Sequence, residues 1–235
     1  QELSTKYRPI SLTSVPCKLM EHVIYSYVMN FLDSHNFFHH SQHGFRRDHS
    51  CETQLAIFVH DLHANLDINK QTDSIFLDFA KAFDKVPRKH LILKLCSLNL
   101  HPCVLNWIKE FLTNRMQSVF TNDSLSVPLS VTSGVPQGSV LGPFLFLIYN
   151  NDLPMHTSSD YRMFADDFVI YRTVTDPSDQ MLLQDLNHIL QWCDDWLMTL
   201  NPTKCKLISF TRRLNPLHFS YNIANVPVES VTTYK

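Results

Sequence analysis

Glycine is scarce in this chain of 235 residues: there are four, and three of them (Gly134, Gly138 and Gly142) fall within the nine residues 134 to 142. A chain that withholds glycine elsewhere and concentrates it there needs close backbone approach at that point, as a ligand-facing turn does. Cysteine is present without pattern. The six cysteines (Cys17, Cys51, Cys96, Cys103, Cys193 and Cys205) show no CxxC spacing, which suits buried or idle thiols in a reducing compartment better than a disulfide frame. Thirteen histidines include the pair His39-His40, yet no HExxH or Cys/His cluster forms, so a zinc site is not expected. No uninterrupted apolar run approaches membrane-spanning length. The opening QELSTKYRPISL has neither a basic n-region nor an apolar h-region, and the expectation is an intracellular protein without a membrane partner. Internal repeats, low-complexity stretches and linkers are also missing.

What is present is a chain able to build a core, with 44% hydrophobic residues, enough for one large globular domain or two small ones. Its net charge of −2 is less basic than a nucleic-acid enzyme usually shows. The charges are segregated, however. Residues 81 to 117 carry seven Lys or Arg against two acids, whereas 150 to 200 carries nine Asp against two Arg. One region can hold a phosphate backbone and the other cations.

Apolar residues at Leu19, Met20, Val23, Ile24, Tyr27, Val28, Phe31 and Leu32 fall at helical spacing and predict an amphipathic core helix. A second helix is expected over 51 to 66, with Leu55, Phe58, Val59, Leu62 and Leu66 on one face. SIFLDF (74 to 79) reads as a central strand that delivers Asp78 at its end. Helices are expected at about 88 to 98, 102 to 114 (with Pro102 near the start), 139 to 150 and 178 to 198, a hairpin turned at Asn122-Asp123, and strands from Lys204 onward. Helices interspersed with a few antiparallel strands make an α+β fold.

MFADDFVIY (163 to 171) sets Asp166 and Asp167 side by side among apolar and aromatic residues. Adjacent like charges resist desolvation and are stable only facing water or a cation. Aspartates are common in hairpin turns, but the glycine that usually accompanies them in a tight turn is missing here. The pair therefore calls for carboxylate or cation partners elsewhere in the chain.

LDFAKAFD (77 to 84), GVPQGSVLGP (134 to 143), FADD (164 to 167) and LNPTKCKLISF (200 to 210) follow one another in that order. Order and spacing resemble the palm motifs A, B, C and D of reverse transcriptases. YRPISL (7 to 12) and QHGFRR (42 to 47) resemble the fingers segments of the non-LTR retrotransposon branch, and AFDKVPRKHL, SGVPQGSVLGP, NDLP and FADD together narrow the likeness to jockey-like and CR1-like elements. The resemblance covers essentially the whole chain. It implies a right-hand polymerase fold, an antiparallel palm sheet backed by helices with the thumb absent. Approximate subdomains would be fingers 1–72, palm 73–87, a fingers insertion 88–132 and palm 133–235.

The activity implied is RNA-directed DNA synthesis from an RNA template, a DNA primer and dNTPs, an in-line phosphoryl transfer catalysed mainly by positioning and charge neutralisation. Two Mg²⁺ ions, with Mn²⁺ as a substitute, would be held by the oxygen ligands such hard cations prefer. The resemblance assigns the bridging role to Asp78 and Asp166, with Asp167 as third carboxylate and the Phe79 carbonyl as a backbone ligand. Phe83, five residues past Asp78, is where the family places a bulky aromatic that leaves no room for a 2′ hydroxyl; viral RNA polymerases usually carry an aspartate there. Pro136, Gln137 and Gly138 would pack on the nascent base pair, Arg8, Lys18 and Arg46 would lie near the triphosphate, and Lys204 would protonate the leaving pyrophosphate, with Lys206 close enough to compete for that role. The FADD here replaces the commoner YADD, and Ser50-Cys51 stands where Ser/Thr usually follows GFR. The resemblance places the endonuclease and thumb of the element's polyprotein outside this chain and the protein in a cytoplasmic ribonucleoprotein and the nucleus. The competing readings are an RNA-dependent RNA polymerase, opposed by Phe83 and by the VPQG turn, and a catalytically silent RNA-binding relic, which would be free to lose an aspartate.

Overall fold

The computed structural model describes residues 9–121, 123–155 and 157–234. Helices and strands alternate irregularly along the chain. In order they are α1 (Val15–Ser34), α2 (Cys51–Asp67), β1 (Gln71–Asp78), α3 (Ala82–Lys85), α4 (Arg88–Ser97) and α5 (Pro102–Leu112). The short strands β2 (Met116–Gln117), β3 (Phe120–Thr121), β4 (Ser124–Leu125) and β5 (Leu129–Ser130) precede α6 (Leu141–Asn150), β6 (Asp160–Phe164), β7 (Asp167–Val174) and α7 (Met181–Asp195). The chain continues with β8 (Lys206–Phe210), β9 (Asn222–Ile223), β10 (Val226–Pro227) and β11 (Glu229–Ser230). Two compact units result, one from 1–37 with 81–150, the other from 38–80 with 151–235.

The first unit is mainly helical and has α6 at its centre. LGPFLFLIYN is apolar all round rather than on one stripe, and nine of its ten residues are buried, the mark of a core helix. Both α1 and α4 pack against it. The N-terminal amides of α6, which have no intrahelical acceptor, are met by Glu21 of α1. The Glu21 carboxylate is fully buried and its Oε2 accepts from the Val140 and Leu141 amides at 2.8 and 3.1 Å. The apolar stripe of α1 is only half core. Ile24, Val28, Met29 and Leu32 are buried, while Leu19, Met20, Val23 and Tyr27 are exposed, because one neighbouring helix covers about half of so wide a stripe. After α5, which does open at Pro102, β2 pairs with β5 and β3 with β4. Asn122 lies outside the described residues; Asp123 sits in the left-handed region with φ 58°.

The second unit is built on a five-stranded sheet in the order β11-β8-β1-β7-β6, antiparallel except where β11 joins β8. SIFLDF lies in the central strand β1, as its β-branched and aromatic content requires. On one face α2 covers the sheet through Phe58 and Leu62, which cluster with Val169 and Tyr171 and with the partly buried Phe76 and Phe210. Leu55 and Val59 of α2, expected on that same face, are exposed. The helix starts at a capping box, with Ser50 Oγ accepting from the Thr53 amide and Thr53 Oγ1 accepting from the Ser50 amide. Against Phe79, just beyond β1, α7 places Trp192, whose Nε1 donates to Asp152 Oδ1 at 2.9 Å. The segment Ser41–Gln42–His43 lines the edge of β6. Gln42 pairs in parallel with Met163, whose amide donates to the Ser41 carbonyl and whose carbonyl accepts from the His43 amide, each at 2.9 Å.

Candidate functional site

The aspartates meet where β1 ends and the β6–β7 hairpin turns, all within the second unit. Register sets Asp78 directly opposite Asp167, and Asp167 also pairs with Phe164 across the hairpin. Ala165 and Asp166 are thus the two turn residues. Directly opposed residues on antiparallel strands share one face, and like charges there repel. The sequence reading couples Asp78 with Asp166; the register gives Asp167 the opposing place and Asp166 the tip. The Asp78 side chain is only 18% exposed. Its Oδ2 faces Lys204 Nζ at 3.3 Å, and its Oδ1 is buried with no hydrogen-bond partner. A buried carboxylate oxygen without a donor is costly and is suited to a cation. Among the described residues no group of three His, Cys, Asp or Glu side chains is arranged to hold a metal ion by itself, so the carboxylates as placed do not form a closed cage.

Neighbouring groups register the same field. Burial, and then the charges of Asp167 and Asp78, push the Tyr234 phenol up, and Tyr234 stacks on Phe76 with ring centroids 4.5 Å apart. Burial raises the Cys205 thiol, which also feels Asp78. Of the two lysines left open by the sequence, Lys204 reaches Asp78, while Lys206 Nζ is turned to Glu229 Oε2 at 2.7 Å and the Thr203 carbonyl at 2.8 Å. Phe79 is buried with its ring on Phe168 and Trp192. Around it, the Asp78 carbonyl accepts from Asn201 and the Thr199 carbonyl from Ala80, each at 2.8 Å. These bonds fix the end of β1.

The turn itself is strained and supported. Ala165 has φ 59°, in the left-handed region that glycine occupies at far lower cost. Its amide donates to Gln42 Oε1 at 3.1 Å. A Cβ on Gly44 would stand 2.4 Å from the Ala165 nitrogen, so this glycine is required by close approach to the turn. Arg46 is folded back on its own loop, its Nη1 3.4 Å from the His39 carbonyl and 3.5 Å from that of Gln42, with the guanidinium over the Phe38 ring.

In the first unit, Phe83 is half-buried with its ring against Phe146 at 4.7 Å, and its carbonyl accepts from the Val135 amide at 2.8 Å. Gln137 is held by the residue after Phe83: Gln137 Nε2 donates to Asp84 Oδ1 at 2.8 Å. Asp84 went unnoticed in the sequence because nothing local marks a partner 53 residues away. Pro136 is buried, Gly138 exposed. At each glycine of the cluster the chain's own backbone approaches closely. Added Cβ atoms at Gly134, Gly138 and Gly142 would stand 2.6, 2.9 and 2.2 Å from the carbonyl oxygens of Asp84, Ser11 and Pro136. Arg88, buried, braces the preceding loop by donating to the carbonyls of Val131, Ser133 and Gly134. Lys18 is exposed on α1; Arg8 lies outside the described residues.

Solved structures share this fold. A telomerase from Candida tropicalis in complex with a TWJ fragment of telomeric RNA matches 80% of this chain and 33% of its own, at a TM-score of 0.58 and 12% identity. An apo telomerase from the same organism, truncated from its C-terminal domain, matches 92% and 44% at 0.58 and 11% identity. The fold class is the right-hand polymerase fold, with mixed helices and an antiparallel sheet. A family model described as reverse transcriptase (RNA-dependent DNA polymerase) matches residues 2–229, and the chain belongs to that family. Curated relatives come from mobile elements. The "Probable RNA-directed DNA polymerase from transposon X-element" of Drosophila melanogaster is 32% identical over 94% of this chain. The RNA-directed DNA polymerase from mobile element jockey of Drosophila funebris is 30% identical over 88%. The chain spans about a quarter of the length of each, 25% and 24%.

Proposed function

We propose that this chain carries the catalytic carboxylates of an RNA-directed DNA polymerase of a non-LTR retrotransposon, adding dNTPs to a primer 3′ hydroxyl on an RNA template. The observation that carries this reading is the opposition of Asp78 to Asp167 at the foot of a turn bearing Asp166, with Asp78 Oδ1 buried and unpartnered. Asp78, Asp166, Asp167 and the Phe79 carbonyl would be the ligands, and Mg²⁺, with Mn²⁺ as substitute, is the cation such oxygens suit. When bound, two such ions neutralise developing charge and lower the pKa of the attacking hydroxyl. Lys204, more than half exposed and resting on Asp78, supplies the proton to the leaving pyrophosphate.

Phe83 selects deoxyribose by occupying the space of a 2′ hydroxyl. Gln137, held by Asp84, supports the nascent base pair with Pro136 and Gly138. Arg8 and Lys18 serve the triphosphate, as does Arg46 once released from its carbonyl contacts. In this reading residues 1–72 and 88–132 are fingers and 73–87 and 133–235 palm. The remaining partner is the rest of a retroelement polyprotein, as relatives about four times this length suggest, in a ribonucleoprotein that passes from cytoplasm to nucleus.

Extension of a DNA primer on an RNA template, with dNTPs and rNTPs in parallel, tests the reading. Mg²⁺-dependent incorporation of dNTPs in preference to rNTPs is the expected result. Preference for rNTPs would favour an RNA polymerase, and absence of incorporation, even with a thumb supplied, the silent scaffold.

A further inference from the structure

We infer that Gln42 is a positioning residue for the catalytic turn: its side-chain amide fixes the backbone that presents Asp166 and Asp167. This rests on the polymerase reading above. Three observations converge on it. Gln42 is 2% exposed, and its Oε1 accepts two backbone amides at once, Gly44 at 2.8 Å and Ala165 at 3.1 Å. One buried oxygen thereby ties the QHG segment to the residue before Asp166. Ala165, with φ 59°, occupies a turn position where a residue bearing a Cβ is disfavoured. Such a conformation persists only where its surroundings over-determine it. Finally, the Gln42 main chain is itself paired to Met163 of β6, and Gly44 leaves no room for a side chain against Ala165. The acceptor is thus anchored to the same hairpin that it restrains.

The consequence is geometric. An amide held at Ala165 fixes the peptide plane between Phe164 and Ala165, and so sets the direction in which the chain leaves β6 toward Asp166. Without the acceptor, the Ala165 amide loses this buried hydrogen bond and the turn is less restrained in its left-handed conformation. The carboxylates would then be displaced while the sheet that bears them stays intact. Gln42 touches no reacting atom and acts only through the turn.

The test uses Gln42→Met, which keeps volume and apolar reach but removes the acceptor, with Gln42→Glu restoring an acceptor oxygen and Asp166→Asn as control. Hydrogen exchange of the Ala165 amide, Mn²⁺ affinity by electron paramagnetic resonance, and single-nucleotide addition are read on each. In Gln42→Met, exchange at Ala165 quickens, and Mn²⁺ affinity and kcat fall by about tenfold, the scale of losing a residue that orients a metal ligand. The dNTP KM changes much less, and Gln42→Glu regains the protection. A merely structural role would lower activity only in proportion to the folded fraction and leave Mn²⁺ affinity per folded molecule unchanged, and that result would overturn the inference. Should Gln42→Met not fold, exchange in the unmodified chain decides: Ala165 must be protected, and an unprotected Ala165 overturns it. Loss of Mn²⁺ binding in Asp166→Asn but not in Gln42→Met defeats the positioning role alone, whereas Mn²⁺ binding and activity unchanged in Asp166→Asn defeat the polymerase reading itself.

Discussion

At the scale of single residues, the chemistry turns on charges placed where no solvent shell fully serves them. Asp78 is the clearest case: one oxygen is paired with Lys204 and the other is buried without a donor. The Lys204 ammonium offsets part of the repulsion from Asp167 and keeps the end of β1 tolerable when no cation is bound. The task proposed for Phe83 is different. Its ring rests on Phe146 and is only half-buried, so a shorter side chain opens space without emptying the core. Phe83→Val should therefore raise the use of rNTPs relative to dNTPs by an order of magnitude or more, the range in which a pocket discriminates small groups. Competition between the two nucleotide sets in primer extension checks this, and an unchanged ratio would return Phe83 to a packing role. The meeting of Asp78 with the FADD turn was legible in the sequence because each lies within a short motif. Gln42 and Asp84 were not, since their partners stand 123 and 53 residues away and a glutamine or a second aspartate carries no local mark of what it will bind.

At the scale of elements, the helix that follows the VPQG turn shows how a buried charge can be structural. Glu21 has no place in the chemistry, yet it is fully buried and satisfies two amides at the start of α6. Glu21→Ala should destabilise the fold by about 1–3 kcal/mol, the price of leaving such groups unpaired. A lowered midpoint of denaturant unfolding with unchanged slope would show it, and an unchanged midpoint would mean that water replaces the carboxylate. Helix positions were legible from apolar period, for example α1 and α2, but period tells which face is apolar and not how much of it a neighbour covers. The exposed edge of α1 at Leu19, Met20, Val23 and Tyr27 follows from that difference. The glycine cluster was legible as a place of close approach, and the backbone that approaches it was not, because glycine marks the absence of space but not what fills it.

At the scale of the molecule, the charge segregation read along the chain falls on different units: the basic stretch 81 to 117 lies in the first, and most of the aspartates between 150 and 200 in the second. Ionisation at high pH also acts on the whole fold. Burial pushes the Cys193 thiol up to about 12 and raises the phenols of Tyr161, Tyr171 and Tyr221. These groups stay protonated in the folded state after they ionise in the unfolded one, so the unfolded state binds fewer protons and stability falls with rising pH. The loss should begin as pH passes the unfolded thiol value near 9 and deepen beyond 10 as the tyrosines join. Unfolding midpoints measured from pH 8 to 11 should fall steadily over this window; a flat profile would contradict the burial of these groups.

The central claim is that Asp78, Asp166 and Asp167 form a metal-dependent nucleotidyl-transfer site, and the most direct measurement is addition of one dNTP to a DNA primer annealed to an RNA template. It should be run against Mg²⁺ and Mn²⁺ concentration with the unmodified chain and with Asp166→Asn, a change that removes a charge at nearly constant size and leaves the hairpin in place. The account predicts addition that requires the metal and disappears in Asp166→Asn while far-UV circular dichroism stays the same. Addition that survives in Asp166→Asn, or that proceeds equally well without a divalent cation, would contradict it.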